Sequence, residues 1–97
     1  MQTYIFLVRF TEEGMRDIKQ TIDRAHAFEA MAKKAGVTLK VLCWTMGRYD
    51  VIAVFEAPDD ESATALSFSV SSLGSVRTEL LRAFSFEEMR GILAKMV

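Results

Sequence analysis

Two stretches of the chain are apolar on both faces, and a single helical pattern separates them. Residues 2–10 (QTYIFLVRF) and 51–57 (VIAVFEA) are near-continuous runs of aliphatic, aromatic and β-branched side chains. A strand of this kind is buried on both sides, which places it in the middle of a sheet and not at its edge. Between the two runs, apolar residues recur at Met15, Ile18, Ile22, Ala25, Phe28, Ala32 and Ala35. Steps of three and four are the period of an amphipathic helix. Thr11 can cap it, and Glu12 and Glu13 sit where the helix dipole favours negative charge. Lys33 and Lys34 occupy the last turn and Gly36 stops it. One long helix is expected. A central strand, a crossover helix and a second central strand leave few topologies open.

The remaining segments narrow them further. Residues 37–46 (VTLKVLCWTM) read as a strand, joined by the short turn Gly47-Arg48-Tyr49-Asp50 to the strand at 51–57 as an antiparallel hairpin. Alternation in 37–46 puts Lys40, Leu42 and Trp44 on one face and Cys43 on the other, as a buried small hydrophobe. Pro58 ends the hairpin, and Asp59 or Asp60 caps a helix carrying Ala63, Leu66, Val70 and Leu73 up to Gly74. Residues 75–84 (SVRTELLRAF) form a fourth strand. Ser85 and Glu88 then make a capping box for a short helix from Phe86 to Met96. The order is βαββαβ plus a terminal helix. The fold class is therefore α+β and ferredoxin-like, with both crossover helices on one face of a four-stranded antiparallel sheet. With 97 residues, the chain makes one domain, 1–97.

That topology leaves the second sheet face bare. At 51% apolar the chain is at the top of the range for a soluble domain, and part of that surplus must lie on the bare face. A homodimer, or a higher homo-oligomer, packed sheet to sheet is expected. The formal net charge of -1 argues against a nucleic-acid partner. No apolar run is long enough for a membrane span, and the first residues resemble a strand more than a signal peptide. One unpaired cysteine and no export signal make a reducing cytoplasm the expected compartment. A single Cys and a single His cannot build a zinc site, so no metal is expected. Phosphate loops, dinucleotide turns and nucleophile elbows are missing from the sequence, so no cofactor is expected either.

The segment Trp44-Thr45-Met46-Gly47-Arg48-Tyr49-Asp50-Val51-Ile52-Ala53 resembles the signature of the GYD domain family, which is named for a Gly-x-Tyr-Asp-type turn between two strands. Glu56 to Glu61, Ser72 to Thr78 and on through Leu81 to Phe84, the opening Thr3-Tyr4, and Phe10 to Gly14 fit the same family in order. The resemblance covers nearly the whole chain. It implies a ferredoxin-like domain of the dimeric α+β barrel type. Barrels of that architecture include cofactor-free monooxygenases, haem-binding enzymes, isomerases and effector-binding domains, so the architecture does not select an activity.

Several side chains could carry chemistry. His26 is the only group expected to titrate near neutrality, and Glu29 lies three residues on, within reach on one helix face. With Asp50, these are the candidate catalytic residues. Tyr49 and Asp50 could also serve the turn alone, Asp50 by accepting from turn amides and Tyr49 by covering the sheet end. Arg77 shares a strand face with Glu79, while Arg82 points the other way; such charges fix an interface or bind an anion. The expected ligand-binding set is Tyr4, Trp44, Tyr49, Asp50 and Arg77, in a pocket between the sheet and the long helix. On this reading the chain is a small-molecule binding or sensing module built as a homo-oligomer. The alternative is a cofactor-independent enzyme of monooxygenase or isomerase type, with His26 or Asp50 as base. A purely structural homo-oligomer is a third reading.

Overall fold

The computed structural model describes residues 1–97. Four strands form one antiparallel sheet in the order β2-β3-β1-β4: β1 (Gln2–Phe10), β2 (Thr38–Trp44), β3 (Val51–Ala57) and β4 (Val76–Ala83). The two strands that are apolar on both faces, β1 and β3, are the central ones. Helices α1 (Glu12–Arg16) and α2 (Thr21–Lys34) follow β1, α3 (Asp60–Ser71) links β3 to β4, and α4 (Phe86–Ala94) ends the chain. The fold is the ferredoxin-like α+β arrangement with a terminal helix.

Pairing of Phe6 with Ala53 and of Tyr4 with Phe55 directs the even-numbered residues of β1 under the helices. Tyr4, Phe6, Phe55 and Leu66 are the largest fully buried side chains. The Phe6 and Phe55 rings meet at 4.7 Å with a 50° tilt, and Tyr4 stacks on Phe55 at 5.6 Å. Offset aromatic contacts of this kind add about 0.5–1.5 kcal/mol each beyond the area they bury. The odd-numbered residues Ile5 and Leu7, with Ile52 and Val54 of β3, lie on the other face and are only half-buried. Val41 and Leu81 beside them are 50% and 40% exposed.

The expected single long helix is interrupted. It comprises α1, a 3₁₀ turn at Ile18–Gln20, and α2. Asp17 leaves helical geometry at φ -107° and ψ 36°. Arg24 reaches back and donates to the Asp17 carbonyl at 2.8 Å and the Gly14 carbonyl at 3.0 Å, satisfying helix-end acceptors. Of the apolar positions that set the period, Ile18, Ala25, Phe28 and Ala32 are at least partly covered, whereas Met15 and Ile22, on either side of the break, are 51% and 59% exposed. Strand β2 also departs from simple alternation. Its register shifts between Leu39 and Val41, so Leu39, Leu42 and Trp44 pair with the helix-facing residues of β3. Lys40 does not share that face; its ammonium lies 3.5 Å from Glu56, whose strand neighbours place it on the open side. A bulge of one extra residue accounts for this. Cys43 is exposed on the open face, contrary to its expected burial.

Gly14 marks the tightest junction. A side chain at this position would begin 2.0 Å from the Ser75 carbonyl oxygen. The same corner is tied by Thr11, which donates to the Gly74 carbonyl at 2.6 Å and accepts from the Gly14 N–H at 3.1 Å. Gly91, in exposed α4, has open space around it. Gly14→Ala is therefore expected to cost at least about 1–3 kcal/mol through overpacking. Gly91→Ala should leave stability unchanged or raise it by up to about 1 kcal/mol through helix propensity. Urea unfolding of both variants checks this; equal effects would remove the special role of the Gly14–Ser75 contact.

Candidate ligand-binding site

Helices α2 and α3 lie side by side on the sheet but scarcely touch each other. The gap between them is a recess of about 130 Å³. Phe6, Val8 and Ala53 form its floor, Ala25 and Phe28 its α2 wall, and Val70 its α3 wall. Of its 18 lining residues, 14 are hydrophobic. The size follows from small side chains: Ala25 and Ala27 on α2 leave space that a larger residue would fill. Trp44 stands at the rim and is 44% exposed.

The polar groups at the recess are already engaged. The Trp44 indole N–H donates to Thr21 Oγ1 at 3.0 Å. Arg24 spends its guanidinium on backbone carbonyls and lies 5.8 Å from the centre of the Phe10 ring. Thr78 Oγ1 shares hydrogen bonds with Ser67 at 2.7 Å and Ser71 at 3.2 Å. No carboxylate or histidine lines the recess. What it offers a guest is apolar contact, worth about 25 cal/mol per Å² of surface removed from water.

Of the five residues expected to bind a ligand, only Trp44 lines this recess. Tyr4 lies under the helices at the opposite end of β1. Tyr49 and Arg77 belong to the open face: Tyr49 donates to Glu79 at 3.1 Å, and Arg9 sits 5.4 Å above its ring. Asp50 is a clamp. Its carboxylate accepts from the Phe10 N–H at 2.8 Å and its own N–H donates to the Val8 carbonyl at 2.8 Å. The Thr45 N–H donates to the Asp50 carbonyl at 2.9 Å and its hydroxyl to the Tyr49 carbonyl at 2.6 Å. Gly47, at φ +107°, supplies the turn. His26 and Glu29 do approach, Nδ1 to Oε1 at 3.7 Å, but their side chains are 73% and 63% exposed on the outer surface of α2. Nowhere do three His, Cys, Asp or Glu side chains gather to hold a metal ion.

The residues that do line the recess, such as Ala25, Phe28 and Val70, were legible only as core positions. Their signal was apolar residues at helical spacing, and that pattern is common to most small cores.

A family model for the GYD domain matches residues 4–93. The chain belongs to the GYD domain family. In this GYD domain the eponymous Gly47-Arg48-Tyr49-Asp50 turn fastens the β2–β3 hairpin to the end of β1. No curated protein and no solved structure matches the chain. No helix of the domain is long and apolar enough to cross a membrane.

A second polar cluster lies at the far end of the sheet. The Tyr4 hydroxyl donates to Asp60 Oδ1 at 2.6 Å and lies 2.8 Å from the Gln2 side-chain amide. Arg82 stands 5.7 Å from the Tyr4 ring centre and 4.7 Å from that of Phe84, and binds Glu88 at 2.7 Å. Its guanidinium also meets the Ala83 carbonyl. This pairing, with the Ser85 amide, holds the Glu88 carboxyl below its usual range. Burial, reinforced by the hydrogen bond to Asp60, pushes the Tyr4 phenol up to about 12. The neutral phenol is thus the form the fold prefers. Its contribution to stability is complete below pH 10 and is lost as pH rises from 10 to about 12. Tyr4→Phe removes the hydrogen bond and should cost about 1 kcal/mol at neutral pH. The stability gap between wild type and variant should then narrow between pH 10 and 12. Denaturant unfolding across that window checks it, and a constant gap would contradict the assignment.

Proposed function

We propose that this GYD-domain protein is a binding module for a small apolar molecule, about the size of one aromatic ring, assembled as a homodimer through its open sheet face. The observation that carries the reading is the recess between α2 and α3. Its volume, about 130 Å³, is close to that of dry apolar cavities of about 150 Å³ that accept benzene. Its lining is apolar, and its rim carries the one tryptophan. The enzyme reading draws no support from the residues named for it. His26 and Glu29 face water, and Asp50 is committed to the backbone of β1. The dimer is supported by Ile5, Leu7, Ile52, Val54, Val41 and Leu81, which form a contiguous apolar field on the uncovered side of the sheet.

Benzene, toluene and phenol at millimolar concentration are the probes. Each should shift the Trp44 indole N–H resonance in a saturable way, benzene and toluene more tightly than phenol. Ala25→Phe should fill the recess and abolish the shift while leaving the melting temperature equal or higher. A shift that persists in Ala25→Phe, or its absence in wild type at saturation of the probe, would overturn the reading.

A further inference from the structure

The recess between α2 and α3 is apolar along its length, but its lining is not neutral. Four of its lining residues are not hydrophobic: Thr21, Arg24, Ser75 and Thr78. Arg24 is the one charged residue among them, and no acid lines the recess with it. Its side chain is half-buried, and covering a charge costs free energy unless a counter-charge comes with it. Arg24 forms no ion pair within the chain. The Gly14 and Asp17 carbonyls take two of the five N–H groups of its guanidinium and leave the positive charge uncompensated.

Two further features of the same turn add to it. Thr21 precedes Arg24 by three residues and shares its face of α2. The Thr21 oxygen accepts from the Trp44 indole N–H at 3.0 Å, while its own hydroxyl hydrogen meets no acceptor. Helix α2 also begins at Thr21, and no side chain caps that end. The helix dipole therefore adds positive potential where Thr21 and Arg24 stand. Asp23, the one acid of this first turn, is exposed and does not line the recess. The α2 end of the recess thus holds donors and positive charge, with no carboxylate to answer them.

We propose that the recess takes an aromatic monocarboxylate, its ring among Ala25, Phe28 and Val70 and its carboxylate at the α2 end, accepting from Arg24 and from the Thr21 hydroxyl. One uncompensated charge calls for one counter-charge. A neutral guest leaves the guanidinium unanswered, and a dianion brings a second charge that must be stripped of water without a partner. Hydrogen bonds from a guanidinium to a carboxylate are charge-assisted and about twice as strong as neutral ones. Arg24 is then the residue that sets specificity, while the apolar lining supplies the area. This rests on the reading of the recess as a ligand site and adds the charge of the ligand.

The experiment titrates benzoate, benzamide and benzene into the full chain at low salt and follows the Trp44 indole N–H resonance. Benzoate should bind roughly tenfold or more tightly than benzamide, which has nearly the same shape and no charge. The Arg24 Nε–H resonance should move with benzoate and stay in place with benzamide, a readout that needs no variant. Arg24→Gln, with circular dichroism to confirm its fold, should bring the benzoate-to-benzamide ratio to about one. Arg77→Gln, which alters an arginine outside the recess, should leave that ratio as it is in wild type. Benzene that binds while benzoate gains nothing over benzamide overturns the carboxylate and leaves the recess reading standing. A preference for benzoate that survives in folded Arg24→Gln, or that is lost in Arg77→Gln instead, overturns the assignment to Arg24. If none of the three compounds moves the Trp44 resonance, the recess reading falls and this inference falls with it.

Discussion

The register of β1 between its two neighbours decides where every other residue of the sheet points. Phe6 opposite Ala53 and Leu80 commits the even-numbered side chains of β1 to the helices. A slip of one residue would exchange the two faces. Tyr4, Phe6 and Val8 would then meet water, and Arg9 would enter the core. Two devices hold this register from opposite ends. Asp50 seizes the backbone of Val8 and Phe10 at one end, and Tyr4 reaches Asp60 at the other. The helices, the recess and the open face all inherit their positions from it.

The fold was largely legible in the chain because its signals are local or strictly periodic. The two central strands announced themselves by being apolar on both faces, and Thr11, Asp59 and Ser85 do cap their helices. What escaped was non-local. The break at Asp17 is stabilised by Arg24, seven residues away, and leaves no mark on the hydrophobic period. The bulge at Lys40 depends on pairing with β3, so alternation within β2 alone put that lysine on the wrong face. Cys43 reads as core from the sequence because its residue type is usually buried. Its strand occupies an edge, where burial depends on a neighbour.

The candidate site was less legible, for a chemical reason. Polar and charged residues draw attention in a sequence, and here they are largely spent on construction. Asp50 clamps a hairpin, Arg24 closes a helix end, and Arg82 joins β4 to the first turn of α4. The recess is made of absence: two alanines and two helices that stand apart. Residue identity is a poor guide to empty space, which depends on how far apart the backbones lie.

Helix α4 stands apart from everything else. Its start is fastened by Ser85, Glu88 and Arg82, but its apolar side chains, Phe86 at 89% exposed among them, find no bed in the domain. A nine-residue helix is marginal in water without packing. The chain therefore contains two thermodynamic units of unequal size. The sheet with α2 and α3 opens as a cooperative whole, and the last turns fray independently at low cost. Amide exchange in this protein would show two populations separated at Phe84, and loss of helical signal on warming would begin before the core had loosened at all.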